Sequence, residues 1–461
     1  MYNLVDRISE LPLEILASIL SLLPLKEAVA TSVLSRHWRH VWASTLTLDF
    51  DPEKTLFGFT YLSRTLQDKK SRRYVNWINR VVEQHHGPNI ESFRACFDLD
   101  CRFTSSIDKW IEFALKKRVQ VFVLDFVKIY GFNKDAYAFP RKLLGLEKEF
   151  ASNHYVGFKY LKVLYFENVD VTGEIIEYFL SHCPVLERLS VSFAKSLVNL
   201  RVVGPLVELK YLVLNYCFSL KSVEICDTKL VSFIHIGFAI DLRLSNVPSL
   251  VEIAISGMNT HRLCASTDFV RLAFTQLSCC LYQLETFMID ITLMYNKDHV
   301  FPILSNLKHF ELTADPDYEW GLSQLSSFMR AFPYLQRLTL KVIGDEYILL
   351  YSSIGLMTYE VNVWGSEEKR KLQKAAKCPH HYLKVVEVLK YRGRRNIVEH
   401  VMFLIENAFA LEKLVIDPSN WDCHHSGSEW GKRARLKEAK ARHHAMHLKN
   451  KVPATVEFVC L

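Results

Sequence analysis

Residues 183–191 read Cys183-Pro184-Val185-Leu186-Glu187-Arg188-Leu189-Ser190-Val191. Leu186, Leu189 and Val191 fill the apolar places of a Leu-x-x-Leu-x-Leu phrase. In a short strand alternate side chains face opposite ways, so Leu189 and Val191 point to one side and Arg188 and Ser190 to the other. The phrase recurs outward in both directions: Leu161-Leu164-Phe166, Leu209-Leu212-Leu214, Leu250-Ile253-Ile255, Leu284-Phe287-Ile289, Leu307-Phe310-Leu312 and Leu335-Leu338-Leu340. Copies starting at Leu161, Leu186 and Leu209 lie 25 and 23 residues apart, and those at Leu284, Leu307 and Leu335 lie 23 and 28 apart. That is the period, roughly 20–29 residues, of repeats built from one strand and one helix or turn. Weaker copies at Leu220-Val223-Ile225 and Leu230-Phe233 fill the space before Leu250, and the long step from Leu250 to Leu284 predicts an insertion.

One such repeat cannot bury its own apolar edge, but stacked repeats form a continuous core. The pattern therefore predicts, from about residue 90, an α/β solenoid: a curved parallel sheet with helices on its convex face. Ile175–Leu180 and Leu322–Phe328 have the helical spacing for that face, and each is followed by a proline turn, Cys183-Pro184 and Phe332-Pro333. On the open side of the strands lie Arg188, Ser190, Tyr211, Val213, Thr286, Met288, His309, Glu311, Arg337 and Thr339, the candidate target-binding positions. Their mixed chemistry suits a protein or peptide; a nucleic-acid backbone calls for clustered Lys and Arg.

The first fifty residues follow a different rule. Leu11, Ile15, Leu16, Ile19, Leu20 and Leu23 recur at helical spacing after Pro12, and Pro24 ends that helix and starts a second through Leu25, Ala28, Val29 and Val33. A third short helix through Arg36–Trp42 places Trp38, Val41 and Trp42 on one side. Three short helices cannot hide so many large apolar side chains alone, and an apolar surface left open marks a protein interface.

This region resembles the F-box family in its plant form. Asp6-Arg7-Ile8-Ser9-Glu10-Leu11-Pro12, Ile15-Leu16, Ile19-Leu20-Ser21-Leu22-Leu23-Pro24, Lys26-Glu27-Ala28-Val29, Thr31-Ser32-Val33-Leu34-Ser35, Trp38-Arg39 and Trp42 carry the likeness. Leu13 stands where the family has an acidic residue, and His37 where it has a basic one. The resemblance implies docking onto a Skp-type adaptor, and through it a cullin. The adaptor contacts are drawn from Leu11, Pro12, Ile15, Leu16, Ile19, Leu20, Leu23, Pro24, Val33, Leu34 and Trp38. The other reading is that these helices only cap the repeats.

Cys183–Leu189 and Trp110–Ala114 resemble the leucine-rich-repeat region of the same plant proteins. His381–Val388 and Glu406–Ile416 resemble the FBD region that follows it, read as strand, helix (Ile397–Glu406) and strand. The resulting plan is an F-box module at 1–50, a helical connector at 51–89, a solenoid at 90–375, an FBD-like cap at 376–418, and a basic helical tail with a last strand at 419–461. It implies the substrate-recognition subunit of an SCF-type ubiquitin ligase, with an unidentified protein as substrate. Two alternatives stay open: a repeat scaffold outside any ligase, and a nucleic-acid-associated protein with a basic tail.

Composition leaves ample apolar material for a buried interior, with 49% hydrophobic residues. The 461 residues carry 57 Lys and Arg against 50 Asp and Glu, a net charge of +7, and much of the excess falls after Gly431. The tail is expected to be helical through about Leu448, with Val452–Leu461 a strand against the body. The basic run Lys69-Lys70-Ser71-Arg72-Arg73 is expected to be a solvated loop. Eleven scattered cysteines fit reduced thiols in a cytoplasmic or nuclear protein. Asp6, Arg7 and Glu10 precede the first apolar run, unlike a signal peptide, and stretches such as Leu16–Leu25 are too short for a membrane span. No phosphate-binding glycine loop, nucleophile turn or His-Glu-x-x-His motif is present, so no catalytic residue and no cofactor is expected. Cys423, His424 and His425 with His443, His444 and His447 are poorly spaced for a tetrahedral metal site and are expected to be surface groups. Asp315, Asp317 and Glu319 are expected in a hydrated turn.

Overall fold

A computed structural model describes residues 8–50, 62–126, 135–146, 156–204, 208–256, 269–290, 301–314, 322–342, 377–419 and 429–461. Asp6 and Arg7, residues 257–268 within the step expected to hold an insertion, the acidic turn at Asp315–Glu319 and the Cys423–His425 group lie outside them.

The chain forms two compact units, Met1–Leu230 and Val231–Leu461. The first opens with helix α1, Leu13–Leu20, and helix α2, Leu25–Ala30. Pro12 and Pro24 each stand just before the first turn, at φ −54° and −53°. A proline there loses no helical hydrogen bond and sets the entry angle. The third helical piece, Trp38–Ser44, is a 3₁₀ helix.

Thr47–Phe50 is already a repeat strand. It pairs in parallel with Ser92–Cys96, so the ladder begins before residue 90. Val121–Asp125, Val163–Glu167, Arg188–Ser192 and Tyr211–Asn215 follow in order, all parallel. In register across this unit run Leu48, Phe93, Phe122, Leu164, Leu189 and Leu212, each buried. Phe122 packs against Phe93 at 5.8 Å and Phe166 at 6.4 Å between ring centroids. Such tilted and edge-on pairs add roughly 0.5–1.5 kcal/mol beyond the area they bury.

The second unit repeats the rule through Ser232–Ile236, Glu252–Ser256, Thr286–Asp290, His309–Ala314, Arg337–Val342, Val385–Leu389, Lys413–Asp417 and Glu457–Cys460, each parallel to the next. The FBD-like piece is the expected strand, helix (Arg395–Asn407) and strand. The tail is a helix, Glu429–Leu448, and its last strand pairs with Lys413–Asp417. That strand covers a backbone edge and, with Ala441, Ala445 and Leu448 of the helix buried, serves as a cap for the repeats.

Two expectations need correction. The side opposite the ladder was expected to be helical. Between Arg188–Ser192 and Tyr211–Asn215 it is instead a strand, Asn199–Val203, paired in parallel with Ser222–Cys226. The link between those ladder strands is short, and Asn-Leu-Arg-Val-Val alternates exposed and buried residues at the period of a strand. Leu220-Val223-Ile225 therefore belongs to this second sheet. The run Lys69–Arg73 is not a loop but lies within a continuous helix, Arg64–Gln84, whose inner face is Ser71, Tyr74, Val75, Ile78 and Val81.

Several strands leave the ladder through a left-handed residue, among them Asn168 (φ 54°), Phe193 (φ 59°) and Tyr216 (φ 54°). Asparagine accepts that conformation readily, and the Asn168 amide donates to the Phe126 carbonyl at 2.8 Å. Aromatic residues resist it. Phe193 and Tyr216 tolerate the corner while their rings stack at 4.9 Å.

Candidate functional site

Two surfaces answer to the positions singled out in the sequence. The first lies on the N-terminal helices. Leu16, Ala17 and Leu20 of α1 are buried, as are Leu25 and Ala28 of α2 and Trp38, Val41 and Trp42 beyond it. The Trp38 indole N–H donates to Ser9 Oγ at 2.7 Å. Ser21 Oγ donates to the Ala17 carbonyl at 2.7 Å and accepts the Leu46 amide at 2.8 Å, fixing the end of α1 to the entry of the first strand. His85 Nε2–H donates to the Thr45 carbonyl at 2.9 Å, and the His86 amide donates to the Ala43 carbonyl at 2.8 Å. Burial holds the His85 pKa below its ordinary value of 6.5, which favours the neutral ring. The Lys26 ammonium sits 5.4 Å from the Trp77 ring centroid.

Of the eleven adaptor positions, Leu16, Leu20 and Trp38 are interior side chains that hold the helices together. Leu11 is partly buried. Pro12, Ile15, Ile19, Leu23, Pro24, Val33 and Leu34 stand exposed. Sequence reasoning missed Ile8, Leu13 and Leu22, which are 56%, 47% and 85% exposed. Leu13 had registered only as a departure from an acidic family position, and Leu22 lies next to Leu23 in a run where every leucine reads alike. Among the described residues, eight of the twenty exposed large apolar side chains lie between Ile8 and Leu34.

The second surface is the open face of the strands. In the first unit Arg188 stacks on Tyr211, guanidinium carbon 3.8 Å from the ring centroid, with Ser190 and Val213 half-buried beside them. Tyr165 donates to Glu167, whose carboxyl is held above the ordinary range by burial, with the neighbouring Asp125 pushing the same way. In the second unit Thr286, His309 and Arg337 share one row across neighbouring strands, and Met288, Glu311 and Thr339 share the next. Thr339 is only 3% exposed: its hydroxyl donates to Glu387 Oε2 at 3.0 Å and lies 3.1 Å from His309 Nε2. A hydroxyl has one proton, so His309 Nε2 must carry the hydrogen of the second bond. Burial lowers the His309 pKa, and the Arg337 charge lowers it further. Burial raises that of Glu311, with Lys341 opposing and Glu387 and Asp290 adding to the rise.

Glu387 was missed because its strand had been set aside as part of a terminal cap, although Val385–Leu389 pairs directly with Arg337–Val342. The ten open-face positions thus gather as two groups, four in the first unit and six in the second.

Among the described residues no group of three or more His, Cys, Asp or Glu could hold a metal ion. His443 and His447 approach one another at 3.1 Å, and His444 bonds the Tyr391 hydroxyl at 2.8 Å. Burial pushes the thiols of Cys183, Cys217 and Cys280 up to about 12, so they stay protonated and unreactive. No helix among the described residues is long and apolar enough to cross a membrane.

Comparison with known proteins assigns both surfaces to recognised domains. An F-box domain model matches residues 8–47, and the At1g61320/AtMIF1 LRR domain model matches residues 81–461. The F-box/LRR-repeat protein At3g03360 of Arabidopsis thaliana is 33% identical over 42% of this chain and 39% of its own length. The F-box/FBD/LRR-repeat protein At1g13570, also from Arabidopsis thaliana, is 34% identical over 54% of each. These matches span between two fifths and little more than half of those relatives. With a matching F-box over the exposed apolar helices and a matching repeat domain over most of the remainder, the chain belongs to the plant F-box/leucine-rich-repeat family.

Proposed function

We propose that the chain is a non-catalytic substrate receptor of an SCF-type ubiquitin ligase. Its N-terminal helices dock on a Skp-type adaptor, which joins it to a cullin, and its repeats hold a target protein. The mechanism is proximity: bound target and ubiquitin-transfer enzyme share one assembly, so transfer becomes effectively intramolecular. The reading places the chain in the cytoplasm or nucleus.

One observation carries the reading. The exposed apolar residues between Ile8 and Leu34 stand apart from an interior of Leu16, Leu20, Leu25 and Trp38, so the helices have a core and a second apolar face that the described residues leave open. In the second unit the open strand face, with Met288, His309 and Glu311 half-buried and Arg337 exposed, supports a protein ligand.

Co-purification with a Skp-type adaptor tests the proposal. Leu22→Asp with Val33→Asp alters side chains that are each 85% exposed; it should abolish adaptor capture while leaving the melting temperature unchanged. Capture that persists in this variant, or no capture by the unaltered chain, would overturn the docking role.

A further inference from the structure

A second apolar surface lies on the second unit, along the turns that lead into its strands. Tyr282, Ile303, Tyr334, Tyr382 and Phe409 are 69%, 72%, 48%, 49% and 69% exposed. They occupy the turns before Thr286–Asp290, His309–Ala314, Arg337–Val342, Val385–Leu389 and Lys413–Asp417, five strands that are neighbours in the ladder. Strands in a sheet lie about 4.8 Å apart, so the band runs for about 19 Å, the length of roughly six residues of extended chain. It is continuous in places: Tyr334 and Tyr382 meet edge to face at 5.0 Å, and the His381 ring stacks on Phe409 at 5.5 Å. The Asn306 amide donates to the Tyr282 carbonyl at 2.6 Å, tying adjacent turns together. A band of this kind is not the scattered exposure that soluble proteins ordinarily show.

One stretch of the band is cationic. Beside Tyr334 and Tyr382 lies a groove of about 410 Å³, lined by Met329, Pro333, Cys378 and Pro379 together with Arg330, Lys377 and His381. No carboxylate lines it. Arg330 is braced by its own helix, its Nε donating to the Ser326 carbonyl at 3.3 Å and an Nη to Ser326 Oγ at 3.2 Å. Neither Arg330 nor Lys377 forms an ion pair among the described residues. Elsewhere along the band the carboxylates are paired: Glu285 with Lys308 at 3.0 Å and Glu412 with Lys384 at 2.9 Å.

From these features we infer that the turn band is a docking site for an acidic, extended peptide segment carrying apolar side chains. The aromatic edges take alternate side chains of the segment, and Arg330 and Lys377 meet its carboxylates. Aromatic rings supply large contact area at little entropic cost, and the uncompensated cations select for negative charge. The site goes beyond adaptor docking and shares no residue with it.

The test uses the full chain and two short fluorescein-labelled peptides, one alternating Glu with Leu and Phe, the other with every Glu replaced by Lys. Fluorescence anisotropy should show binding of the acidic peptide at least about tenfold tighter than the basic one. Tyr334→Ser with Tyr382→Ser should weaken it about tenfold, and so should Arg330→Glu with Lys377→Glu. The second pair changes two exposed side chains outside the core, so a folding defect in the tyrosine variant does not decide the matter. Leu22→Asp should leave peptide binding intact, which separates failure here from failure of adaptor docking. Equal binding of the two peptides, binding unmoved by either double variant, or a self-associated dimer lost in the tyrosine variant without peptide binding would each overturn the inference.

Discussion

Between Ile8 and Leu34 the chain leaves eight large apolar side chains exposed. In the five ladder strands from Thr47–Phe50 to Arg188–Ser192, the inward positions are closed completely or almost so. Both regions are leucine-rich, and the difference lies in how each can be covered. A ladder strand has neighbours on either side supplied by the same chain, so each inward Leu or Phe finds partners at fixed register. The three short helices have one interior and one outer face, and none of the described repeats closes the latter. Apolar sequence in the ladder is a statement about stability. In the outer helical face, on the function proposed, it is a statement about binding.

The largest effect expected from this contrast is on the ladder side. Phe122, fully buried against Phe93 and Phe166, should cost about 3–5 kcal/mol on truncation to Ala. Leu22→Ala, at an 85% exposed site, should stay within about 0.5 kcal/mol. Denaturant unfolding of the two variants measures both. Equal losses would break the comparison, because Leu22 would then belong to a core.

A smaller effect is expected where the regions join. Ser21→Ala removes the acceptor for the Leu46 amide and a donor to the Ala17 carbonyl. Leaving a partly buried N–H unsatisfied costs about 1–3 kcal/mol. Protection of the Leu46 amide from hydrogen exchange should fall with it, and unchanged protection would show that the serine ties nothing together.

How much of this was legible beforehand depended on whether a residue's partner lies inside the repeat rule. Inward positions such as Leu189, Leu212, Phe287 and Phe310 are fixed by period alone, because any strand with that alternation must bury them. The strand–helix–strand order near residue 400 and the last strand at Glu457–Cys460 followed from the same alternation. Asn199–Val203 was not legible as a second-sheet strand, because its alternation fits either side of the sheet and only the shortness of its connections excludes a helix. On the first helices, spacing placed Ile15, Leu16, Ile19 and Leu20 together without saying which pair turns inward. Leu16 and Leu20 do so because Ser21, one residue on, is bonded to the strand entry. The turn aromatics Tyr334 and Tyr382 had no period of their own to reveal them.

Acidity should separate the regions further. His85 is buried between the N-terminal helices and the repeats, with Nδ1 lacking a hydrogen-bond partner and its pKa lowered chiefly by burial. A histidine whose folded pKa lies below its unfolded value binds more protons when unfolded, so stability rises with pH across that window. Its contribution is complete above the unfolded value of about 6.5 and diminishes as pH falls below it. His380, also lowered by burial, acts in the same direction. The melting temperature should therefore drop between pH 7 and pH 5. His85→Gln, which keeps a donor for the Thr45 carbonyl but does not titrate, should flatten part of that slope. A slope identical in the variant would remove His85 from the account.

The smallest effect is expected at the far end of the ladder. Lys413 and Glu457 are cross-strand partners in register, joined at 3.0 Å, and their side chains are 39% and 62% exposed. An ion pair this open to water is screened and contributes about 0–1 kcal/mol. Glu457→Gln should therefore lower stability by no more than that, and added salt should reduce the difference. The strand itself is held by backbone bonds, including the Glu457 amide to the Glu412 carbonyl at 2.8 Å, which the substitution leaves in place. If Glu457→Gln released the last strand, seen as loss of amide protection at Phe458 and Cys460, the cap would depend on charge, and the ladder would lack at its end the self-sufficiency that separates it from the first helices.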